Sequence, residues 1–216
     1  MDTVFFDMDG TLIDTEKYYN ICWCEAITKF GYAITREEAL DLRSLGRPHV
    51  YNFFEEKYGK SFPYEEVRAY RKQIMEEMLK RDGIEVKPGA KEFLAWLKSH
   101  NIRCMIATAT DLERTKRYLE QAGLAPYFDE LISAAMVKEG KPSPDIYELA
   151  CKKAGRAPKD CIAIEDSPNG VRSAAAAGCH VFMVPDLSEP DEETRALCDG
   201  VFTSLVELKK YFVNIS

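Results

Sequence analysis

The chain has 216 residues, 46% of them apolar and 30% charged, and carries a formal net charge of −7 at pH 7. This is a globular rather than a disordered composition, and the length suits one domain or a core with a modest insertion. The acidic balance, with no run of Lys or Arg, argues against general nucleic-acid binding, which needs a basic face to displace counterions.

The first predicted strand, in "VFFDMDGTLIDTE" (4–16), ends on two carboxylates, Asp7 and Asp9, followed by Gly10 and Thr11. Like charges crowded at a strand end oppose each other, and the arrangement calls for a cation that no side chain of this stretch supplies. From about 15 to 86 the period is helical throughout, punctuated by Gly31, Gly46, Gly59 and Gly83, with Thr35 and Glu38 spaced as a capping box. This segment holds 12 basic and 13 acidic residues, so the rest of the chain carries most of the negative excess. Beyond Pro88 short apolar runs alternate with amphipathic stretches. Helices are expected at 90–99, 111–124 (with Asp111 as N-cap), 144–155, 167–178 and 204–212. Strands are expected at 103–108, 130–133, 161–166 and 180–185. Such alternation predicts an α/β fold, a doubly wound parallel sheet (Rossmann-like core) from 1–14 and 87–216, with 15–86 inserted as an α-helical cap.

No segment approaches the roughly 18 to 20 apolar residues that span a bilayer, and no basic leader with an apolar run opens the chain. A cytoplasmic protein is expected, with no membrane partner. The seven cysteines are odd in number and lack a second pair at metal-ligand spacing, so reduced thiols are expected. No long heptad pattern is present, and a monomer is the expectation.

In an open parallel sheet, ligands collect at the carboxyl ends of the strands. Four predicted strand ends or adjoining loops carry chemistry there: Asp7 and Asp9; Thr108 and Thr110; Lys141 in "EGKPSPD"; and Glu165 and Asp166, followed by Ser167. Singly each has an ordinary reading. Asp-x-Asp is common, Glu-Asp before a helix complements the helix dipole, and a lone lysine is usually solvated. Together, in one order, they describe one crevice.

In these four motifs ("DMDGT", Thr108 in "IATAT", Lys141 in "GKPSPD" and Glu165-Asp166 in "IEDS") the chain resembles the haloacid dehalogenase superfamily. The resemblance spans essentially the whole chain and is nearest the β-phosphoglucomutase-like phosphatases with a helical cap. It implies a Mg²⁺-dependent phosphatase acting on a small phosphorylated metabolite, such as a sugar phosphate. Asp7 would be the nucleophile, passing through an aspartyl phosphate, and Asp9 the general acid and base. Thr108 and Lys141 would bind the phosphoryl oxygens. Asp7, Glu165, Asp166 and the Asp9 carbonyl would serve the metal. Gly10 would permit the tight turn and Thr11 would order it. Mutases of the β-phosphoglucomutase type carry a histidine where Tyr19 stands, and their cap loop places an arginine nearer His49 than Arg47. Both departures favour a phosphatase. The phosphomutase is the alternative, and a non-catalytic phosphate-binding module on the same fold is a third reading. Arg47 and His49 are the candidates for substrate contact from the cap.

Overall fold

Strand β1 (Thr3–Phe6) is buried along its whole length, as a strand covered on both faces must be. The computed structural model describes residues 2–215. After β1 the chain enters three cap helices, α1 (Glu16–Lys29), α2 (His49–Tyr58) and α3 (Tyr64–Asp82). It then alternates: α4 (Ala90–Ser99), β2 (Arg103–Thr108), α5 (Leu112–Ala122), β3 (Glu130–Ser133), α6 (Asp145–Ala154), β4 (Cys161–Glu165), α7 (Pro168–Ala176) and β5 (His180–Met183). A short α8 (Glu192–Ala196), β6 (Gly200–Val201) and α9 (Leu205–Ile215) complete it.

Among the described residues the six strands form one parallel sheet in the order β3-β2-β1-β4-β5-β6. Thr3 faces Arg103 on one side and Cys161 on the other, which sets the register of the central three strands. The winding reverses at β1, so the crevice lies at the carboxyl ends of β1 and its neighbours. Alternation along β1 sends Val4 and Phe6 to one face, against Phe93 and Leu97 of α4 and Phe212 of α9. Phe5 goes to the other face, with Ile146 and Tyr147 of α6 and Val171 of α7.

The cap has an apolar cluster of its own, centred on Trp23, Ile27, Leu42, Val50, Phe54 and Val67. Two linkers join it to the core and lie side by side. The Asp14 N–H donates to Glu85 O (2.8 Å) and the Lys87 N–H to Leu12 O (2.9 Å). Asp14 also binds Lys17 (2.5 Å) and Lys87 (3.4 Å), and Lys87 reaches Asp186 (2.5 Å).

Two expectations need adjustment. The Thr35–Glu38 capping box is present in both directions, with bonds of 2.9 and 3.1 Å. It opens only a 3₁₀ turn, Glu38–Leu42, rather than a full helix, because Arg43 turns extended (ψ 133°) and leads the chain down to the core. The elements α8 and β6 were not expected; at five and two residues they are too short for a periodic signal.

Candidate active site

Past β1 the chain doubles back on itself. The N–H groups of Leu12 and Ile13 both return to Met8 O (2.9 and 3.2 Å). Gly10 sits at φ 85°, and a Cβ there would lie 2.4 Å from Asp166 Oδ2, so the loop needs glycine for its backbone and for the approach of Asp166. Asp7 and Asp9 then have different surroundings. Asp9 accepts from the Thr15 hydroxyl (2.6 Å) and the Thr110 hydroxyl (2.7 Å), one on each oxygen. Asp7 is 1% exposed and accepts from Lys141 Nζ at 2.5 Å, while its Oδ2 has no partner. The Thr11 hydroxyl is buried and also unpartnered, so it orders the turn through no hydrogen bond of its own.

At the end of β4 the helix cap is supplied by Ser167, whose hydroxyl accepts from the Gly170 N–H (3.2 Å). That leaves Glu165 and Asp166 unused by the helix. Lys141 joins Asp7 to Glu165 (2.6 Å) and to Ala107 O (2.9 Å), and Tyr147 donates to Glu165 at 2.5 Å. Gly170 is needed beneath this group, since a Cβ there would fall 2.0 Å from Glu165 Oε2. From the cap, Arg43 reaches Asp166 (3.6 Å) and donates to Ser188. Glu16, in the first turn of α1, is buried beside them.

Four buried acids, Asp7, Glu16, Glu165 and Asp166, are thus faced by two buried cations, Lys141 and Arg43. Burial, with Lys141 opposing it, pushes the Asp7 carboxyl up to about 8. Burial and the neighbouring acids also raise Glu16 and Asp166 well above the usual carboxylate range. Burial disfavours the charge on Lys141, but Asp7 and Glu165 outweigh it and hold the ammonium protonated. With all four acids ionised, as a bound cation would favour, the group would carry an excess of two negative charges. Oxygens of Asp7, Glu165 and Asp166 lie within 4.8 Å of one another, and Asp7 Oδ2, Glu165 Oε2 and both Asp166 oxygens are buried without a partner. A hard divalent cation fits that donor set and charge. The Asp9 side chain is outside this group, held by its two threonines.

A cavity of about 530 Å³ opens above, between core and cap. Asp7, Asp9 and Thr108 line it, whereas Lys141, Glu165 and Asp166 lie beneath its floor. Thr108 accepts from the Thr110 N–H (3.0 Å). Of the two cap candidates, Arg47 lines the cavity but is half exposed and paired with Glu65 (3.0 Å). His49 is outside the lining, with Nε2 4.0 Å from Glu139. The cap is closed by main chain: Gly46 N–H donates to Lys141 O (2.8 Å) and Gly140 N–H to Arg47 O (2.7 Å). A Cβ on Gly46 would lie 2.4 Å from the Gly140 Cα. Asn169 adds a bond to Arg43 O (3.0 Å).

Sequence reasoning missed Glu16, Arg43, Thr15 and Tyr147. Thr15 and Glu16 directly follow the first motif, and that adjacency was a usable signal. Arg43 had none, because its place depends on how the cap docks.

The comparisons with known proteins agree with this architecture. The family model described as haloacid dehalogenase-like hydrolase matches residues 1–178. The chain is 32% identical over 184 residues to the phosphorylated carbohydrates phosphatase of Thermotoga maritima, covering 82% of each. It is 33% identical to hexitol phosphatase A of Escherichia coli, covering 86% of this chain and 87% of that one. The crystal structure of CbbY from Rhodobacter sphaeroides in complex with phosphate superposes with a TM-score of 0.80 at 28% identity, covering 96% of both chains. By its fold, its four motifs and these likenesses, the chain belongs to the haloacid dehalogenase-like hydrolases and is a phosphoric monoester hydrolase of that family.

Proposed function

We propose that this enzyme is a Mg²⁺-dependent phosphatase that hydrolyses a small phosphorylated sugar or polyol through an aspartyl phosphate on Asp7. The observation that carries the reading is the unlike setting of two neighbouring carboxylates. Asp7 is buried with one oxygen free of partners, while Asp9 has both oxygens held by hydroxyls. Asp7 attacks phosphorus, and the ester P–O bond breaks as Asp9 protonates the leaving alkoxide. Asp9 then takes a proton from water, which attacks the aspartyl phosphate; the Asp7–phosphorus bond breaks, releasing phosphate and restoring Asp7. A hydroxyl both donates and accepts, so Thr15 and Thr110 hold Asp9 in either protonation state. Asp7, Glu165 and Asp166 would hold Mg²⁺, together with the Asp9 carbonyl. Bound there, Mg²⁺ would neutralise the repulsion between an anionic nucleophile and a phosphate dianion. Lys141 fixes Asp7 from below and Thr108 offers its hydroxyl to the phosphoryl group. The free cysteines favour a reducing compartment such as the cytoplasm.

The names of the relatives, phosphatases of phosphorylated carbohydrates and of hexitol phosphates, support the substrate class. Tyr19 speaks against mutase chemistry, since it packs edge-on against Trp23 and puts no imidazole beside the floor. The deciding experiment measures phosphate release from a panel of small sugar and polyol phosphates with Mg²⁺. Release that stops in excess chelator is the expected result. Undiminished release in chelator removes the metal from the reading. Conversion of β-glucose 1-phosphate to glucose 6-phosphate, dependent on a bisphosphate primer and with little free phosphate, would make the enzyme a mutase.

A further inference from the structure

Lys141 has no donor to spare. An ammonium offers three protons, and Nζ places them on Asp7 Oδ1 (2.5 Å), Glu165 Oε1 (2.6 Å) and Ala107 O (2.9 Å). Glu165 Oε1 then receives a second bond, from the Tyr147 hydroxyl at 2.5 Å. A carboxylate oxygen has about two lone-pair directions, so Oε1 is filled. Oε2 of the same carboxylate is buried without a partner. One hydroxyl thus makes the two oxygens of Glu165 unlike, since Lys141 alone would leave Oε1 half open.

Tyr147 takes no part in lining the cavity. It is fully buried in the first turn of α6, where its ring packs against Phe5 of β1, with centroids 6.3 Å apart, and lies 5.4 Å from Lys141 Nζ. The buried face of α6 calls for a large side chain at this place, and phenylalanine would meet that need. Packing does not account for the hydroxyl. Burying it costs free energy, and its one hydrogen bond among the described residues, to Glu165, has to offset that cost.

Building on the Mg²⁺-dependent reading, we propose that Tyr147 is a positioning residue that sets which divalent ion the site prefers. By filling Oε1 it makes Glu165 a one-oxygen ligand, offered through Oε2. Mg²⁺ demands near-ideal octahedral geometry and is served by a single oxygen held in place. Ca²⁺ takes more ligands in looser geometry and readily accepts both oxygens of one carboxylate. The hydroxyl therefore tilts the site toward the smaller ion. Without it, Oε1 is free to turn a lone pair to the cation, which suits Ca²⁺ and leaves Glu165 poorly fixed for Mg²⁺.

Tyr147→Phe isolates the hydroxyl, because it keeps the ring against Phe5 and Lys141. Calorimetry on the metal-free native protein and on the variant, with Mg²⁺ and Ca²⁺ in turn and no substrate, reads the affinities without turnover. In the variant the Mg²⁺ Kd is expected to rise about tenfold or more, while the Ca²⁺ Kd falls or stays within about twofold. A tyrosine that served packing alone would leave both constants unchanged, or weaken both by one factor along with the Tm of the metal-free chain. Either of those results overturns the role of Tyr147. Tyr147→Met, which fills the space with an adaptable apolar chain, takes the same measurement if Tyr147→Phe does not fold. Native protein that binds neither ion removes the metal reading and the role of Tyr147 with it. Native protein that binds Mg²⁺, with the ratio of the two constants unmoved in the variant, keeps the metal reading and overturns only the role of Tyr147.

Discussion

Asp7 and Asp9 are two residues apart and have different tasks because their hydrogen-bond partners differ. Replacing Asp7 by Asn should lower turnover by about three orders of magnitude or more while leaving the far-ultraviolet circular dichroism unchanged, because an amide cannot serve as the nucleophile. Thr110→Val is a finer probe. It removes the donor from Asp9 Oδ2, and a loss of about tenfold in kcat, with KM little altered and the pH–rate profile displaced, is expected for a proton-transfer group set loose. Asp7, Asp9, Thr108, Lys141, Glu165 and Asp166 were readable as candidates because each ends a strand, follows one or lies in a short loop, so the fold class alone sends them to one edge of the sheet. Thr15 and Thr110 were visible as residues, but their partner was not, since a hydroxyl gives no hint in sequence of which carboxylate it will meet.

Helix α7 and the paired linkers put the same acids under mechanical constraint. Gly170→Ala places a methyl carbon against Glu165, and overpacking of this kind typically costs about 1–3 kcal/mol. For a chain of this size that is a fall in Tm of about 2–12 °C, readable by differential scanning calorimetry. At the linkers, burial opposes the charge of Asp14, but the bonds to Lys17 and Lys87 outweigh it and lower its pKa below 3.8. A carboxyl depressed by folding stabilises the native state above its unfolded pKa, and that contribution is lost as the pH falls through the folded value. Asp14→Asn should therefore cost about 1 kcal/mol or less at pH 7 for a partly exposed pair, a fall in Tm of about 4 °C at most, and have little effect near pH 2. A penalty of equal size at both pH values would contradict this. The strand–helix alternation was legible because each element is long enough to show its period. The 3₁₀ turn at Glu38–Leu42 was not, because where it ends is decided by Arg43 reaching Asp166 across the cap boundary.

The buried acids at the foot of the cavity outnumber the cations that face them, and this bears on the stability of the molecule as well as its chemistry. Mg²⁺ that binds only the folded chain should stabilise it by about 2.7 kcal/mol at a hundred times its Kd, raising Tm by roughly 5–10 °C here. Ca²⁺ should also raise Tm but support little phosphate release, since its looser coordination relaxes the alignment of the reacting groups. No shift with either ion would remove the cation from the account. The cap's existence was readable from 15–86, but its docking was not, because the contact is made by the backbones of Gly46 and Gly140, which have no side chain for a pattern to register. The side-by-side linkers carry a further consequence. With both crossings at one point of the rim, the whole segment from Thr15 to Val86 is a cassette between adjacent splice points, and joining Asp14 to Lys87 would leave every strand of the sheet where it stands. A recombined cap keeps the reacting group intact only if it again supplies a hydroxyl to Asp9 where Thr15 stands and a guanidinium to Asp166 where Arg43 stands.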